Sequence, residues 1–345
     1  MSSCRYVECL QARRAALGNS DALTLISLNN LGTLLYELGR LPEAETLLAE
    51  AFASRRREHG ALAPETLRSL HKLGVCLRAK GDHAQSVNHL TQALSGRRQA
   101  LGDTHEDTLR TMNDLGSAIY DRGFFLGSSK SLRADLDAAL ALYREALVTS
   151  RKRLGDTHPV TLVSMNNLGN CLHARGLAQA KFIPGRGPNP ARLDDLSKAA
   201  ALLRESLQMS QTVHGPRHVE TLISASNLGS AMRSFGADSS DAAISQAAHG
   251  LLTEAVEGIA DAWEGDLALR PRMRDALRPG LEDVLLGEQD GIHGEILSPD
   301  GAYGREGVSN PFEAAGAFLR GLLSVGVPPV PPAAQGSPLY QKHEA

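Results

Sequence analysis

Apolar and small residues recur along most of the chain at the spacing of paired helices. In the first unit, an apolar stripe at intervals of three to four residues predicts a helix, and it consists of Leu25, Leu28, Leu31, Gly32 and Leu35. The glycine within that stripe indicates close helix–helix approach, and Gly39 is expected to end the helix. Pro42 then opens a second helix. Its apolar face mixes small with large residues, as an interlocking antiparallel pair needs, and is formed by Ala44, Leu47, Leu48 and Ala51.

This unit occurs five times along the chain. Each copy leads from a Thr-Leu pair to the stripe glycine, and a second glycine follows seven residues later. The copies begin at Thr24, Thr66, Thr108, Thr161 and Thr221, and the second glycines are Gly39, Gly81, Gly123, Gly176 and Gly236. The starts lie 42, 42, 53 and 60 residues apart, so a 42-residue period is interrupted by insertions of 11 and 18 residues. The chain is therefore predicted to be an all-α solenoid of antiparallel helix pairs.

Leucine and glycine in the first helix (helix A), then alanine, a large residue and alanine in the second (helix B), resemble the tetratricopeptide repeat. The period exceeds the usual ~34 residues by about eight, and the extra residues follow Ala51, where they lengthen helix B and the next loop. Asn-Asn-Leu-Gly at 29–32 and Leu-Gly-Asp-Thr-His-Pro-Val-Thr at 154–161 resemble the long-period repeats of kinesin light chains and nephrocystin-like proteins. The resemblance covers residues 5–264 and implies a right-handed solenoid whose A helices line a concave groove.

The pattern divides the chain into four parts. They are a partial repeat with helix B only at 1–23, five repeats at 24–264, capping helices at 265–286 and a low-complexity tail at 287–345. The partial repeat is interpreted either as a cap or as part of a longer array. Three insertions are expected in the turns between helix A and helix B, where a solenoid tolerates them or uses them as a contact edge. They are 124–134, 177–194 and 237–243.

The frequency of glycine and proline rises after about residue 264. Together they account for 21 of the last 81 residues, against 28 of the first 264, which favours a largely disordered tail. Residues 328–332 predict a polyproline stretch, interpreted as flexible chain, with a ligand for an SH3-type domain as the alternative. The tail is long enough to reach the groove, so self-inhibition stays open as a hypothesis.

Charge and cysteine content narrow the classes of partner. A net charge of −3 gives no reason to expect nucleic acid, and no run approaches the ~18 apolar residues of a membrane span. The four cysteines form no C-x-x-C pair, which favours a reducing, cytoplasmic setting.

Phosphate-loop, zinc-protease and nucleophile-elbow motifs are absent from the sequence. We therefore expect no catalytic residue, no metal and no cofactor, and the sequence does not indicate the oligomeric state.

Two further polar sets recur once per repeat. His105, His158 and His218 occupy equivalent loops between repeats, too far apart to share a metal, and are expected to pack or hydrogen-bond between units. Arginines near the end of helix B are expected on its outer face, as a solvated surface or as a basic ridge for a second partner. They are Arg55, Arg56, Arg97, Arg98, Arg151 and Arg153.

Polar residues off the packing stripe of helix A are candidates for a peptide-binding groove. They are Asn30, Arg68, Lys72, Arg110, Asn113, Asp114, Asn166, Asn167, Asn170, Asn227 and Ser230. Asparagine amides can grip the backbone of an extended peptide whatever its sequence, and the resemblance implies a similar use of groove asparagines in kinesin light chains. Arg68, Lys72 and Arg110 make the middle of the groove basic, which favours an acidic peptide.

These features predict a protein-interaction scaffold or adaptor that binds short, acidic peptide segments in its groove. The resemblance implies, more narrowly, a cargo adaptor of the kinesin light chain kind. The alternative is a regulatory or sensor repeat array of a larger protein whose enzymatic or nucleotide-switch domain lies outside this chain. In both interpretations the expected partner is a protein or peptide.

Overall fold

The computed structural model describes residues 2–126, 129–180, 182–183 and 187–265. The helices along them are α1 (Ser2–Leu17), α2 (Ala22–Glu37), α3 (Leu41–His59), α4 (Pro64–Lys80), α5 (His83–Leu101), α6 (Glu106–Leu126), α7 (Ser129–Leu154), α8 (Pro159–Leu177), α9 (Pro190–His214), α10 (Val219–Ser239) and α11 (Ala242–Gly265). A two-stranded antiparallel hairpin of β1 (Phe182–Ile183) and β2 (Gly187–Pro188) lies between α8 and α9. Each helix packs against the next in chain order, which confirms the predicted all-α solenoid. The capping helices expected at 265–286, beyond Gly265, and the tail at 287–345 lie outside the described residues.

The even-numbered helices are the A helices and the odd-numbered helices are the B helices. Helix α1 is a helix B that precedes the first helix A. In the first two repeats the B helices α3 and α5 have 19 residues each, whereas the A helices α2 and α4 have 16 and 17. The long period therefore comes from helix B and its loop, as predicted. Apolar faces of the two helix layers meet in successive core clusters along the described chain, in which Leu28, Leu90 and Met112 are fully buried.

The stripe glycines allow the A and B helices of a pair to approach closely. A Cβ atom added at Gly74 would lie 2.7 Å from Leu90 Cγ, and one added at Gly116 would lie 2.6 Å from Tyr143 Cε1. Both distances are shorter than a carbon–carbon contact, so only glycine fits without a shift. The close approach predicted from the stripe is confirmed.

The second glycine of the repeat has two roles. Gly39 and Gly81 adopt positive φ angles of 75° and 92° just after α2 and α4, and they end those helices as glycine does in the left-handed region. Gly123, Gly176 and Gly236 instead lie inside α6, α8 and α10, against the helix B that follows. The A helices thus continue into the regions of the insertions. At 124–134 the chain is helical up to Leu126 and again from Ser129.

The recurring loop histidines begin the A helices. Nδ1 of His105 accepts a hydrogen bond from the backbone N–H of Asp107 at 3.1 Å. His158 and His218 accept from the residues two positions ahead at 3.2 Å each. An imidazole nitrogen thereby satisfies one of the free N–H groups of the first turn. These hydrogen bonds are made within the histidine's own helix and not between units. The expected packing between units is seen for His218, whose ring stacks on that of His214 at the end of α9 with centroids 4.6 Å apart.

Candidate functional site

Two of the arginines expected on the outer face are buried between repeats. Nη1 of Arg55 donates to the carbonyl oxygen of Glu65 at 3.1 Å and to Oγ of Ser69 at 2.8 Å. Arg97 makes the same two contacts one repeat later, with the carbonyl oxygen of Asp107 and Oγ1 of Thr111. Both side chains are at most 4% exposed. The outer-ridge interpretation is therefore wrong for these two residues, which tie helix B to the next helix A.

The remaining arginines of that set do lie on the outside. Arg56 and Arg153 are exposed. Arg98 forms ion pairs with Asp103 and Glu145, and Arg151 forms them with Asp156 and Glu205. These are solvated or paired surface charges, which contribute little to stability individually.

Positive charge gathers on the A helices of the second and third repeats. Lys72 is half-buried and donates from Nζ to Oγ1 of Thr33 at 2.7 Å. Burial lowers the pKa of Lys72, the neighbouring charges of Arg68 and Arg55 lower it further, and the charge of Glu37 raises it. Arg68 is exposed. No carboxylate among the described residues forms an ion pair with Arg55, Arg68 or Lys72, so this surface favours an incoming anion.

The third repeat adds charges that are already paired. Arg110 is exposed and forms an ion pair with Glu106, one turn earlier on α6, at 2.5 Å. Asp114 contacts Nε2 of His71 at 2.7 Å and thereby joins α6 to α4. The charge of Arg110 is thus offset by Glu106, so on α4 and α6 Arg68 and Lys72 remain the cations that form no ion pair with a described carboxylate.

Several asparagines predicted for the groove connect successive A helices. Nδ2 of Asn113 donates to Oγ of Ser164 at 2.8 Å, and Nδ2 of Asn166 donates to Oγ of Ser224 at 2.9 Å. The partner serine lies in the same place in both repeats, two residues after the leucine that starts the stripe. These amides hold α6 to α8 and α8 to α10.

Burial divides the predicted groove set into three groups. Asn30, Arg68 and Arg110 are exposed; Lys72, Asp114, Asn166, Asn167 and Asn170 are half-buried; Asn113, Asn227 and Ser230 are buried. The Oδ1 atoms of Asn113 and Asn227 and the Oγ atom of Ser230 find no hydrogen-bond partner among the described residues. A bound peptide could reach the first two groups directly, whereas the buried group lies within the A-helix layer.

Sequence reasoning missed the contacts of Thr33 with Lys72 and of His71 with Asp114, and the burial of Arg55 and Arg97. The available signal was the separation between an arginine and a hydroxyl residue, since Arg55 and Ser69, like Arg97 and Thr111, lie 14 residues apart. Arg13 and Ser27 repeat that pair one period earlier, with Nη1 to Oγ at 2.7 Å.

No other chemistry emerges within the described part of the chain. It brings no three His, Cys, Asp or Glu side chains together in a way that could hold a metal. Burial raises the pKa of the Cys76 thiol to about 11, which leaves it protonated and unreactive at neutral pH. None of the described helices combines the length and the apolarity needed to cross a membrane.

The chain consists of successive helix pairs with a row of polar residues along the A helices, which is the architecture of a helical-repeat protein. The chain belongs to the tetratricopeptide repeat family, whose sequence pattern matches residues 5–57, 23–99, 65–123 and 124–180. No curated protein sequence matches the chain.

Solved structures of two proteins share the fold. BtubC (BKLC) from P. vanneervenii is 17% identical with a TM-score of 0.55, covering 76% of this chain and 91% of its own. A single-residue variant of a Podospora anserina protein described as a kinesin light chain with nearly identical TPR-like repeats is 20% identical with a TM-score of 0.50. It covers 70% of this chain and 96% of its own. The expected resemblance to kinesin-light-chain-type repeats is confirmed for the fold.

Proposed function

We propose that the chain is a protein-interaction scaffold that binds extended peptide segments along its A helices. The observation that carries this proposal is the cluster of Arg68 and Lys72, with Arg55 behind them. Arg68 and Lys72 lie one turn apart on α4, where burial and then the charge of Arg68 lower the pKa of Lys72, and no carboxylate of the described residues forms an ion pair with either. A ligand that supplied carboxylates there would relieve their mutual repulsion and form charge-assisted hydrogen bonds.

The preferred ligand is an acidic segment in an extended conformation. Half-buried asparagines further along, Asn167 and Asn170 on α8, offer both a donor and an acceptor to its backbone. Such contacts do not depend on the ligand's side chains. Selectivity would therefore come from acidic residues of the ligand that contact Arg68 and Lys72 in the second repeat. A cargo-adaptor role is a narrower form of this proposal, supported by the similarity in fold to the protein described as a kinesin light chain.

The test is an array of 12-residue peptides of graded glutamate content, probed with the full chain and with two double variants. Arg68→Ala/Lys72→Ala removes two groove cations. Arg56→Ala/Arg153→Ala removes two exposed arginines from the outer helices α3 and α7, so the net charge changes equally. We expect wild type and the outer variant to bind acidic peptides alike, and the groove variant to bind about tenfold more weakly or less.

Two results would overturn the proposal. Equal losses in both variants would show that the peptides respond to net charge alone, without a site. Unchanged binding in the groove variant would show that the second repeat does not contact the ligand. Thermal melts of both variants must match wild type, which separates lost binding from lost folding.

A further inference from the structure

The second repeat carries the most positive charge of the five at one set of three equivalent positions. These are a residue near the end of a helix B and two residues, one turn apart, on the helix A that follows it. In the second repeat all three are cations, Arg55, Arg68 and Lys72, whereas the net charge of the set is +1 in the first and third repeats and 0 in the fourth and fifth. The equivalent residues are Arg13, Ile26 and Asn30; Arg97, Arg110 and Asp114; Ser150, Val163 and Asn167; and Ser210, Ile223 and Asn227.

The third repeat shows how the chain offsets such charge. Asp114 lies at the position that Lys72 occupies in the second repeat. Glu106 forms an ion pair with Arg110 at 2.5 Å, and the residue that matches Glu106 in the second repeat is Pro64. The second repeat therefore lacks both carboxylates that the third repeat has at these places.

The three cations of the second repeat lie close together, and their hydrogen-bond partners are uncharged. Nη1 of Arg55 donates to Oγ of Ser69, the residue next to Arg68, at 2.8 Å. Nζ of Lys72, one turn further along α4, donates to Oγ1 of Thr33 at 2.7 Å. The side chain of Arg68 is exposed and forms no hydrogen bond or ion pair with another described residue. Its guanidinium is therefore available to a ligand.

Two carboxylates influence these cations without forming ion pairs with them. Burial and then the neighbouring cations lower the pKa of Lys72, against a smaller, opposite effect of Glu37. Burial and then Arg68 lower the pKa of Arg55, against a smaller effect of Glu65. The cluster thus keeps an excess of positive charge. A single carboxylate would offset one charge of the three, whereas a phosphate monoester carries a charge of about −2 at neutral pH and three acceptor oxygens.

We propose that this cluster recognises a phosphorylated serine or threonine of the bound peptide, whose phosphate is held by Arg68 and Lys72. The inference rests on the peptide binding proposed above and names the group that the second repeat selects. Arg68 can donate two parallel N–H groups to two phosphate oxygens. Lys72 keeps two N–H groups besides the one that it donates to Thr33. Arg55 contributes its charge from behind, because it is only 4% exposed.

The test compares four fluorescein-labelled peptides by fluorescence anisotropy with the full chain. They share a background of glycine and glutamate and differ at one central site, which holds serine, glutamate, two adjacent glutamates or phosphoserine. We expect the phosphoserine peptide to bind about tenfold more tightly than the single-glutamate peptide, and more tightly than the double-glutamate peptide of similar charge.

One variant removes the preference and another controls for charge. Lys72→Asn gives the second repeat the asparagine that the first, fourth and fifth repeats have at this position, and the preference for phosphoserine should then fall to about twofold. Arg56→Asn removes one charge from an exposed position on the outer helix α3 and should keep the full preference. Arg68→Ala, at an exposed position of α4, repeats the test if Lys72→Asn lowers the melting temperature.

Four outcomes would overturn the inference. Equal binding of the phosphoserine and double-glutamate peptides would show a response to charge alone and leave the proposed peptide binding intact. An undiminished preference in Lys72→Asn and Arg68→Ala would place the phosphate elsewhere. Displacement of the phosphoserine peptide by micromolar inorganic phosphate would show a site for the free ion. If none of the four peptides binds at millimolar concentration, the proposed peptide binding fails as well.

Discussion

Gly74 shows how one residue sets the distance between two helices. In Gly74→Ala the new methyl group would lie 2.7 Å from Leu90 Cγ. Overpacking of this kind costs ~1–3 kcal/mol, against a gain of up to ~1 kcal/mol in helix propensity. We expect a net loss of about 1–2 kcal/mol, seen as a lower urea midpoint. Gly250→Ala in α11 is the control, because nothing lies within 4 Å of its added Cβ. It should raise the midpoint or leave it unchanged, and a fall of equal size would contradict the steric argument.

His173 links the stability of the array to pH. The side chain is 3% exposed, and Nε2 lies 2.9 Å from Oγ of Ser234 on α10. Burial, together with the charges of Arg233 and Arg192, lowers the pKa of His173 to about 3. The unfolded chain binds its proton near pH 6.5, so between about pH 6.5 and 3 the unfolded state holds more protons and stability falls as pH falls.

The expected loss between pH 7.5 and pH 5 is about 2 kcal/mol from this residue. Urea midpoints at the two pH values measure it, with His173→Gln as the comparison. Glutamine keeps a polar group for Ser234 but does not titrate in this range. A pH dependence as steep in His173→Gln as in wild type would assign the effect to other groups.

At the scale of helices, an arginine of the fourth repeat joins three neighbouring helices. Arg175 of α8 donates twice to Asp195 of α9, at 2.9 and 2.7 Å, and once to Asp137 of α7 at 3.0 Å. Asp195 is 2% exposed, and only Gln179 also donates to it, at 2.8 Å, among the described side chains. Arg175→Ala would leave a buried carboxylate without its counter-ion, which costs ~3–5 kcal/mol.

A double-mutant cycle measures this coupling. We expect Arg175→Ala/Asp195→Ala to be more stable than Arg175→Ala alone, because the unpaired charge is gone. Lys198→Ala provides the control, since Lys198 is 61% exposed and pairs with an exposed aspartate. Its unfolding midpoint should stay near that of wild type. Additive losses in the cycle would show that the pair is not coupled.

Helices were more predictable from the sequence than the surroundings of their polar residues. The 42-residue period locates the A and B helices because apolar spacing reports helix faces directly. It does not separate Gly39, which ends α2, from Gly123, which lies inside α6, since both follow the same pattern. Arg97 was expected outside because it lies near the end of helix B. Its burial depends on Thr111, a residue of the next repeat.

The same limit applies to the candidate groove. Asn30 and Asn227 occupy the same place in helix A, yet one is exposed and the other buried. Helical spacing specifies the side of the helix on which a residue lies, but burial depends on what packs over that side. A single repeat unit contains no information about that neighbour. The positive charges of Arg68 and Lys72 were predictable from the sequence. That no described carboxylate forms an ion pair with them could be seen only in the packed structure.

For the array as a whole, each helix contacts mainly its neighbours in the chain, so instability is expected to stay local. Gly116→Leu in α6 would drive a larger side chain into Tyr143, whose ring already lies 2.6 Å from the position of an added Cβ. Hydrogen exchange read by mass spectrometry should then quicken in α5 to α8, the helices around the substitution. Peptides from α2 and α10 should exchange close to wild-type rates.

Gly250→Ala in α11 serves as the control for hydrogen exchange as well, since its added methyl meets no neighbour within 4 Å. Protection in that variant should match wild type from α2 to α8. A uniform rise across all helices in Gly116→Leu would mean that the repeats unfold as one cooperative unit, in which a change in α6 also loosens the Lys72 region. If exchange instead quickens only around α6, the cations of the second repeat stay in place. Binding of acidic peptides is then expected to survive the substitution in the third repeat.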